Sequence, residues 1–207
     1  MPHPLSAVVR QYVAALRLLV VLTVITGVAY PLAVTGIAQL AFPHRADGSL
    51  VAAHGRPVGS RLIGQRFDLP PGGGRAAGAP DPRWFQPRPS AGSYDMLASG
   101  ASNLGPNNPE LVRTIKARRA AVAAFDGVRP AAVPADALTA SGSGLDPDIS
   151  PAYAYEQAAR VARARGLRPA AVRALVAAHV QGRELGFLGE RRVDVLQLNR
   201  ALATAAP

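Results

Sequence analysis

The longest apolar stretch of the chain runs from residue 18 to residue 42 and contains no charged side chain. As an α-helix these residues would extend about 38 Å, more than the roughly 30 Å hydrocarbon core of a bilayer. A cleaved signal peptide usually has a shorter apolar region, followed by a cleavage site of the A-x-A type, and this stretch has neither feature. The pattern therefore predicts an uncleaved transmembrane helix over residues 12–42.

Basic residues precede this predicted helix and suggest its orientation. Arg10 and Arg17 lie on its N-terminal side, and no acidic residue occurs before Asp47. Because basic flanks tend to stay on the cytoplasmic side, we expect residues 1–11 in the cytoplasm and residues 43–207 outside it. The downstream flank is also basic, but long domains cross largely regardless of charge. The chain is thus predicted to be a single-pass protein of the inner (plasma) membrane.

The remainder of the chain alternates short β-like patches with helical periodicity. Residues 44–68 predict short strands and turns, and the Pro- and Gly-rich residues 69–82 predict a flexible loop. Helix-start signals stand at Asn108-Pro109, at Ser150-Pro151 and at Pro169, with ends near residues 125, 165 and 182. Residues 193–198 fit either a short strand or a terminal helix. The expected fold class is therefore α+β: one N-terminal transmembrane helix followed by a small soluble α+β domain.

Two features inside the predicted transmembrane helix point to a partner in the bilayer. Pro31 removes a backbone donor and should kink or loosen the helix. Ala29, Ala33 and Gly36 are spaced as one smooth face, which would let a neighbouring helix approach closely in lipid. An Ala-rich chain also produces such a stripe by chance. Both features are unnecessary in a lone anchor, so we predict that this face packs against a membrane partner.

Composition narrows the function classes. The formal net charge is +10 and Cys is absent, which excludes disulfides, thiolate zinc sites and Cys nucleophiles. Almost all the basic residues are Arg, Lys116 being the one Lys, which points to genomic bias more than to a nucleic-acid surface. A nucleic-acid binder would fit the charge but not the membrane span, nor the aromatic content of 5%.

Motifs for catalysis are absent from the sequence. A phosphate-binding loop needs a Lys after its second Gly, and an ion-pumping ATPase needs Asp-Lys-Thr-Gly; the surroundings of Lys116 fit neither. No G-x-S-x-G motif occurs, and the four His show no close zinc spacing. Carboxylates in loops could still meet in space, namely Asp81, Asp95, Asp146 and Asp148. An accessory protein without catalytic or metal-binding residues is the main interpretation, and a membrane-anchored extracytoplasmic hydrolase or ligand-binding module is the alternative.

Many separated blocks of the chain resemble KdpC, a family of accessory chains of the bacterial Kdp potassium-transporting P-type ATPase. The first is YPLAVTGIAQ at residues 30–39, followed by Phe42-Pro43. The others follow in the family's order at residues 48–50, 59–65, 84–90, 98–106, 139–147, 149–151, 160–162, 182–190 and 193–199. The resemblance covers nearly the whole chain. Departures are local: a Gly-rich insertion at residues 70–79, Gln86-Pro87 in place of the more usual His-Gly, and Asp194 where Asn is common.

The resemblance implies a non-catalytic accessory subunit of a high-affinity, ATP-driven potassium uptake complex. Its partners would be a channel-like potassium subunit, an ATP-hydrolysing subunit and a very small subunit, besides the lipid bilayer and without nucleic acid. Members of this family are described as needed for assembly and as catalytic chaperones that raise ATP affinity. No cofactor would be bound firmly by the chain itself, while ATP is implied for the complex.

The resemblance also implies one nucleotide-contacting residue, a Gln that maps onto Gln157. The predicted topology argues against direct contact, because it places Gln157 on the side of the membrane away from cytoplasmic ATP. A Gln on a helix surface is the structural alternative. If ATP affinity does respond to this subunit, coupling through the complex is the easier physical route.

Overall fold

The computed structural model describes residues 6–53, 55–70 and 78–205. The described chain divides into two units, residues 6–49 and residues 50–205, and each is considered by itself. The central part of the loop predicted at 69–82, residues 71–77, lies outside the described residues. The two described ends of that loop pair with each other: Asp68 forms a β-bridge with Pro80, and the Leu69 amide donates to the Ala79 carbonyl over 2.9 Å.

The first unit is dominated by one apolar helix over Ala7–Ala41, with a mean hydropathy of 2.2 in its most apolar window and none of that window buried. Its length and composition suffice to cross a membrane, which agrees with the predicted span, although the helix begins five residues before residue 12. It comprises α1 (Ala7–Val24), a π-helical turn (Ile25–Ala29) and α2 (Tyr30–Ala41). A single turn, α3 (Pro43–Ala46), follows.

The π-helical turn lies directly before Pro31, where the sequence predicts a kinked or loosened helix. Proline cannot donate to the carbonyl four residues earlier, so the hydrogen-bond ladder must adjust locally. It does so by widening: the Tyr30 amide donates to the Ile25 carbonyl, five residues back. Within the same turn, the Thr26 hydroxyl donates to the Leu22 carbonyl over 2.7 Å. The loosening expected from Pro31 is therefore present, as a π-turn.

The second unit begins with an antiparallel hairpin of β1 (Leu50–Ala53) and β2 (Arg56–Ser60), which confirms the short strands predicted for this region. The register shifts between Val51 and Ala52, which marks a bulge. Residues 61–63, also apolar in pattern, form a turn closed by a single bridge from Ser60 to Ile63. Gly64 then comes so close to the Asp146 carbonyl that any larger residue would collide with it.

The three predicted helix starts are confirmed, and two of them have side-chain caps. In α4 (Pro109–Asp126) the Asn108 side chain accepts from the Glu110 amide, and in α5 (Pro151–Arg165) the Ser150 side chain accepts from the Tyr153 amide. Left-handed Gly127 and Gly166 end these two helices. The third helix, α6 (Pro169–His179), ends three residues before the predicted position.

Both alternatives predicted for residues 193–198 occur in succession. A two-residue strand, β4 (Val193–Asp194), pairs antiparallel with β3 (Asp148–Ile149). The chain then enters α7 (Val195–Thr204), where the Asp194 side chain caps the helix by accepting from the Gln197 amide. Two short 3-10 turns, Pro130–Ala132 and Ala135–Ala137, connect α4 to the loop before β3. Helices with small paired strands make this unit α+β, as predicted.

The core of the second unit surrounds α5. This helix packs against α4 on one side and against α6 on the other, and α6 in turn packs against α7. Small side chains such as Ala154, Ala158 and Ala162 on α5 are fully buried, so neighbouring elements approach it closely. The buried apolar residues of α6 and α7 complete this core: Val172, Val176, Leu198 and Leu202. One loop residue, Phe85, is the largest fully buried side chain among the described residues.

Candidate functional site

A buried polar network holds the loop segment 81–86 inside the second unit. Asn199 on α7 makes a two-point contact with Phe85: its side-chain oxygen accepts from the Phe85 amide over 2.9 Å, and its side-chain nitrogen donates to the Phe85 carbonyl over 2.9 Å. A side-chain amide thereby replaces a β-strand partner for one residue of the loop. Since Asn199 and Phe85 are both buried, neither backbone group could be satisfied by water.

Gln157 on α5 makes the same two-point contact with the next residue. Its side-chain oxygen accepts from the Gln86 amide over 2.7 Å, and its side-chain nitrogen donates to the Gln86 carbonyl over 3.1 Å. The Gln157 side chain has no exposed surface. Two consecutive loop residues are thus held by two side-chain amides from different helices, an arrangement that we call the amide clamp (Gln157 and Asn199 on Phe85 and Gln86).

Arg160 supports the amide clamp from one turn further along α5. Its guanidinium forms an ion pair with Asp126 at the end of α4 and donates to the Gln157 side-chain oxygen over 2.7 Å. The same group donates to the Pro82 carbonyl over 2.6 Å and to the Trp84 carbonyl over 2.9 Å. One buried cation therefore joins α4, α5 and the loop segment, and its charge is balanced by Asp126.

The hydrogen bonds of the network occupy the polar atoms that a ligand would need. Gln157, implied by resemblance as a nucleotide contact, lies in the interior and not on a helix surface, because both of its polar atoms bind Gln86 and Arg160. No local sequence pattern predicts the other members of the network, Asn199, Arg160 and Asp126. The available signal was indirect: Trp84, Arg160 and Asn199 all fall within blocks that resemble the family.

Three of the four loop carboxylates considered as candidate acids are paired with arginines. Asp81 is buried against Arg83, and Asp146 pairs with Arg88. Asp95 accepts from the Leu97 amide over 2.9 Å. Asp148 pairs with Arg192, lies near Asp146, whose side chain accepts from the Asp148 amide over 3.0 Å, and stands opposite Asp194 in the ladder. Burial, and secondarily the charge of Asp194, raises the pKa of Asp148 to about 6.

Two cavities lie beside the network. One, of about 370 Å³, has mainly apolar walls that include Val58, Trp84, Leu196 and Ala203. The other, of about 430 Å³, is bounded by Tyr94, Arg118, Phe125 and Tyr153. The cations near this second cavity are already engaged: Arg118 donates to the Leu138 carbonyl over 3.0 Å, for example. The first cavity is therefore mainly an apolar space, and the cations beside the second are bound within the protein.

The residues predicted to pack in the membrane share a face of the apolar helix. Ala29 already has α-helical angles, so Ala33 and Gly36 follow it at regular helical spacing in α2. All three are exposed, and space around Gly36 is open to 4 Å. Pro31 lies one residue into α2, next to the π-turn. This placement permits the predicted packing without testing it.

Glu156, next to Gln157 on α5, is the unsatisfied group of this region. Both of its carboxyl oxygens are buried and receive no hydrogen bond. Burial, followed by the charge of Asp126, raises the pKa of Glu156 to about 8; Asp136 adds to this effect and Arg160 offsets part of it. A proton on Glu156 would allow it to donate to the Asp126 carboxylate. At neutral pH the group is therefore largely protonated in the folded protein.

Over the described residues, fold and site together define a class: a membrane-anchored protein in which one apolar helix precedes a small α+β domain with a buried polar network. Comparison with known protein families shows which family within this class the chain belongs to. The family model described as "KdpC: K+-transporting ATPase, c chain" matches residues 12–204. The chain belongs to the KdpC family.

Curated relatives support this assignment over nearly the full length. Potassium-transporting ATPase KdpC subunits are 55% identical in Kineococcus radiotolerans, over 98% of both chains, and 49% identical in Streptomyces coelicolor, over 96% of this chain and 94% of the relative. The relative from Sorangium cellulosum is 57% identical over 91% of this chain and 94% of its own length. The resemblance found in the sequence blocks is thereby confirmed.

The raised pKa of Glu156 predicts how stability depends on pH. Between its ordinary value of 4.5 and about 8, the folded protein keeps a proton that the unfolded chain has released. Since the folded state then binds more protons, the free energy of unfolding should fall as pH rises through this interval. We expect the full-length chain in detergent to melt at a lower temperature at pH 8.5 than at pH 6.5.

Glu156→Gln is the matched variant, because a neutral amide can donate to Asp126 at any pH. Between pH 6.5 and 8.5 the variant should lose much less stability than the wild type. At pH 8.5 it should be more stable than the wild type by about 1–3 kcal/mol, the usual cost of an unsatisfied buried polar group. Asp148 titrates mainly below this window and should not interfere. An equal pH dependence in the wild type and in Glu156→Gln would contradict the assignment.

Proposed function

We propose that the chain is the non-catalytic accessory subunit of a high-affinity, ATP-driven potassium uptake complex, required for assembly and for the affinity of that complex for ATP. The observation that carries the proposal is the family match over residues 12–204, which names one chain of a potassium-transporting ATPase. The sequence carries neither a phosphate-binding loop nor the Asp-Lys-Thr-Gly motif, so ATP hydrolysis belongs to another subunit.

The proposed partners are a channel-like potassium subunit, the ATP-hydrolysing subunit and a very small subunit. The proposed topology is a single-pass protein of the inner membrane, with residues 1–11 in the cytoplasm and residues 43–207 outside it. Arg10 and Arg17 before the apolar helix support this orientation. In this topology the amide clamp is separated from cytoplasmic ATP by the bilayer.

An effect on ATP affinity is therefore proposed to act through coupling. An accessory chain that binds the nucleotide-loaded state of its partner more tightly raises the partner's affinity for nucleotide, by thermodynamic linkage. Under this proposal Gln157 influences ATP only by maintaining the domain that contacts the partners, and no cofactor is held firmly by this chain. The burial of Gln157 and the engagement of both of its polar atoms support this role.

Assembly is proposed to begin in the bilayer, on the face formed by Ala29, Ala33 and Gly36. Lipid chains are as apolar as the helix, so association depends on close van der Waals contact, which small residues allow. The neighbouring π-turn gives this face a fixed irregular geometry that a partner helix could match. Ala29, Ala33 and Gly36 are exposed, so this face is available to a partner helix.

The functional proposal is tested by purifying the complex with and without this chain. Without it, we expect either no stable assembly or a half-saturating ATP concentration raised several-fold, because the coupling has been removed. The purified chain alone should show no potassium-stimulated ATP hydrolysis. Turnover by the chain alone, or an unchanged ATP dependence in a complete assembly of the other subunits, would overturn the proposal.

The membrane-face proposal predicts that Gly36→Leu weakens assembly. Leucine keeps the helix apolar, so insertion should survive, but it forces a branched side chain into a closely packed contact. Overpacking of this kind costs about 1–3 kcal/mol, which is roughly 5- to 150-fold in association. The measurement is the recovery of the other subunits with the chain in mild detergent.

Ala38→Leu is the control for this variant. Ala38 lies nine residues after Ala29 on the same helix, which places it on the opposite face at about 100° per residue. The substitution adds a comparable side chain without touching the small-residue face, so the complex should be recovered normally. If Gly36→Leu and Ala38→Leu behave alike, the stripe does not direct assembly.

A further inference from the structure

The connection between α6 and β4 carries an exposed apolar turn, residues 184–190. The turn is closed by two backbone hydrogen bonds: the Glu184 amide donates to the Leu188 carbonyl over 3.0 Å, and the Leu188 amide donates to the Glu184 carbonyl over 2.9 Å. Leu185 and Gly186 at its tip both have positive φ, 52° and 84°. Left-handed backbone is costly for leucine, so the tip conformation is maintained by the closed turn around it.

Between its two glutamates, the turn carries large apolar side chains that are exposed. Leu185 is 82% exposed, Phe187 70% and Leu188 49%. Three large apolar side chains within four residues form a concentrated exposed patch, and such patches in soluble domains mark interaction sites. Isolated exposed leucines are ordinary, but an aromatic residue between two leucines at the tip of a closed turn is not explained by the fold.

Ion pairs fix the base of the turn. Arg183 and Glu190 form one pair at 2.8 Å, and Arg192 and Glu184 form another at 2.9 Å. Arg192 also reaches Asp148 at 3.2 Å, which ties the turn to the β3–β4 ladder. Each exposed pair is weak by itself. Together with the backbone bonds they hold the apolar tip in one geometry, and a pre-organised tip loses little conformational entropy when it binds.

We propose that the 184–190 turn inserts its apolar tip, Leu185 and Phe187, into an apolar recess on the extramembrane surface of another subunit of the potassium-transporting ATPase. The inference rests on the proposed function, which makes this chain one subunit of several. An apolar centre surrounded by charged residues is the composition of a protein–protein contact, with an anchor that is buried and a polar rim that remains wet.

The surroundings of the tip favour a protein partner over a lipid surface. Segments that bind anionic bilayers carry clustered basic residues, and interfacial anchors favour Trp and Tyr. Three arginines, Arg183, Arg191 and Arg192, flank the tip together with Glu184 and Glu190. Both glutamates are paired with arginines, so the flanks are nearly balanced in charge and differ from the unpaired basic cluster that binds anionic lipid. Paired charges around an apolar tip match the polar rim of a protein–protein contact.

The first test is the double variant Leu185→Asn and Phe187→Ser in the full-length chain. Asn tolerates the left-handed backbone at position 185, and neither side chain contributes to the core, so the melting temperature should be unchanged. We expect the affinity for a complex assembled without this chain to fall at least tenfold, which corresponds to about 1.4 kcal/mol.

Leu97→Ser is the matched control, because Leu97 is 98% exposed on a different loop. It removes a fully exposed leucine without altering the turn and should leave the affinity unchanged. An unaltered affinity in the double variant, with the wild type binding normally, would overturn the proposal for the turn alone. If the wild-type chain itself fails to bind the other subunits, the failure lies in the proposed function.

A second test distinguishes the possible occupants and uses the absence of Cys from the chain. Phe187→Cys provides a unique position for an environment-sensitive fluorophore in chain reconstituted into anionic vesicles. The fluorophore should stay in water without partners and become shielded when the other subunits are added. Shielding by the vesicle alone would identify lipid as the occupant. Shielding that grows with the density of this chain alone would identify a second copy, and either result would overturn the proposal.

Discussion

The second unit depends on the way in which two side-chain amides hold two consecutive residues of a loop. Phe85 and Gln86 carry the loop into the interior, where no strand of the described chain satisfies their backbone groups. Gln157 and Asn199 supply those partners from α5 and α7, with all four hydrogen bonds between 2.7 and 3.1 Å. Each of these buried backbone groups, left unsatisfied, would cost about 1–3 kcal/mol. The clamp therefore strengthens a junction of α5, α7 and the loop to which Arg160 and the bond from Arg165 to the Leu202 carbonyl also contribute.

Local sequence signals predicted the helices, whereas contacts between residues far apart in the chain determine the polar interior. Asn108, Ser150 and Gly166 mark helix ends through their own side-chain chemistry or backbone freedom, so the sequence alone located α4 and α5 within a residue or so. The loosening of the apolar helix was also predicted from a single residue, Pro31, although its form as a π-turn was not. The amide clamp could not be predicted in this way, because its partners are separated by 71 and 114 residues and no local periodicity connects them.

The difference between local signals and long-range contacts also explains why the burial of Gln157 was not predicted. On α5 it occupies a position that could equally face solvent, and the resemblance suggested a ligand contact, but the fold turns it toward Gln86 and Arg160. The carboxyl group of its neighbour Glu156 is buried and accepts no hydrogen bond, so protonation compensates for the missing donor. The interior is therefore specialised for maintaining the conformation of the domain. The surfaces that we propose to contact other subunits lie elsewhere, on the apolar helix and on the 184–190 turn.

The most direct test of this account compares Gln157→Ala with Asn199→Ala in the assembled complex. The measurements are the melting temperature of the chain and the half-saturating ATP concentration of the complex. If the clamp is structural, both variants should lower the melting temperature by similar amounts, and any change in ATP affinity should occur in both. A selective loss of ATP affinity in Gln157→Ala, with stability unchanged and Asn199→Ala normal in ATP affinity, would contradict the account and make Gln157 a nucleotide contact.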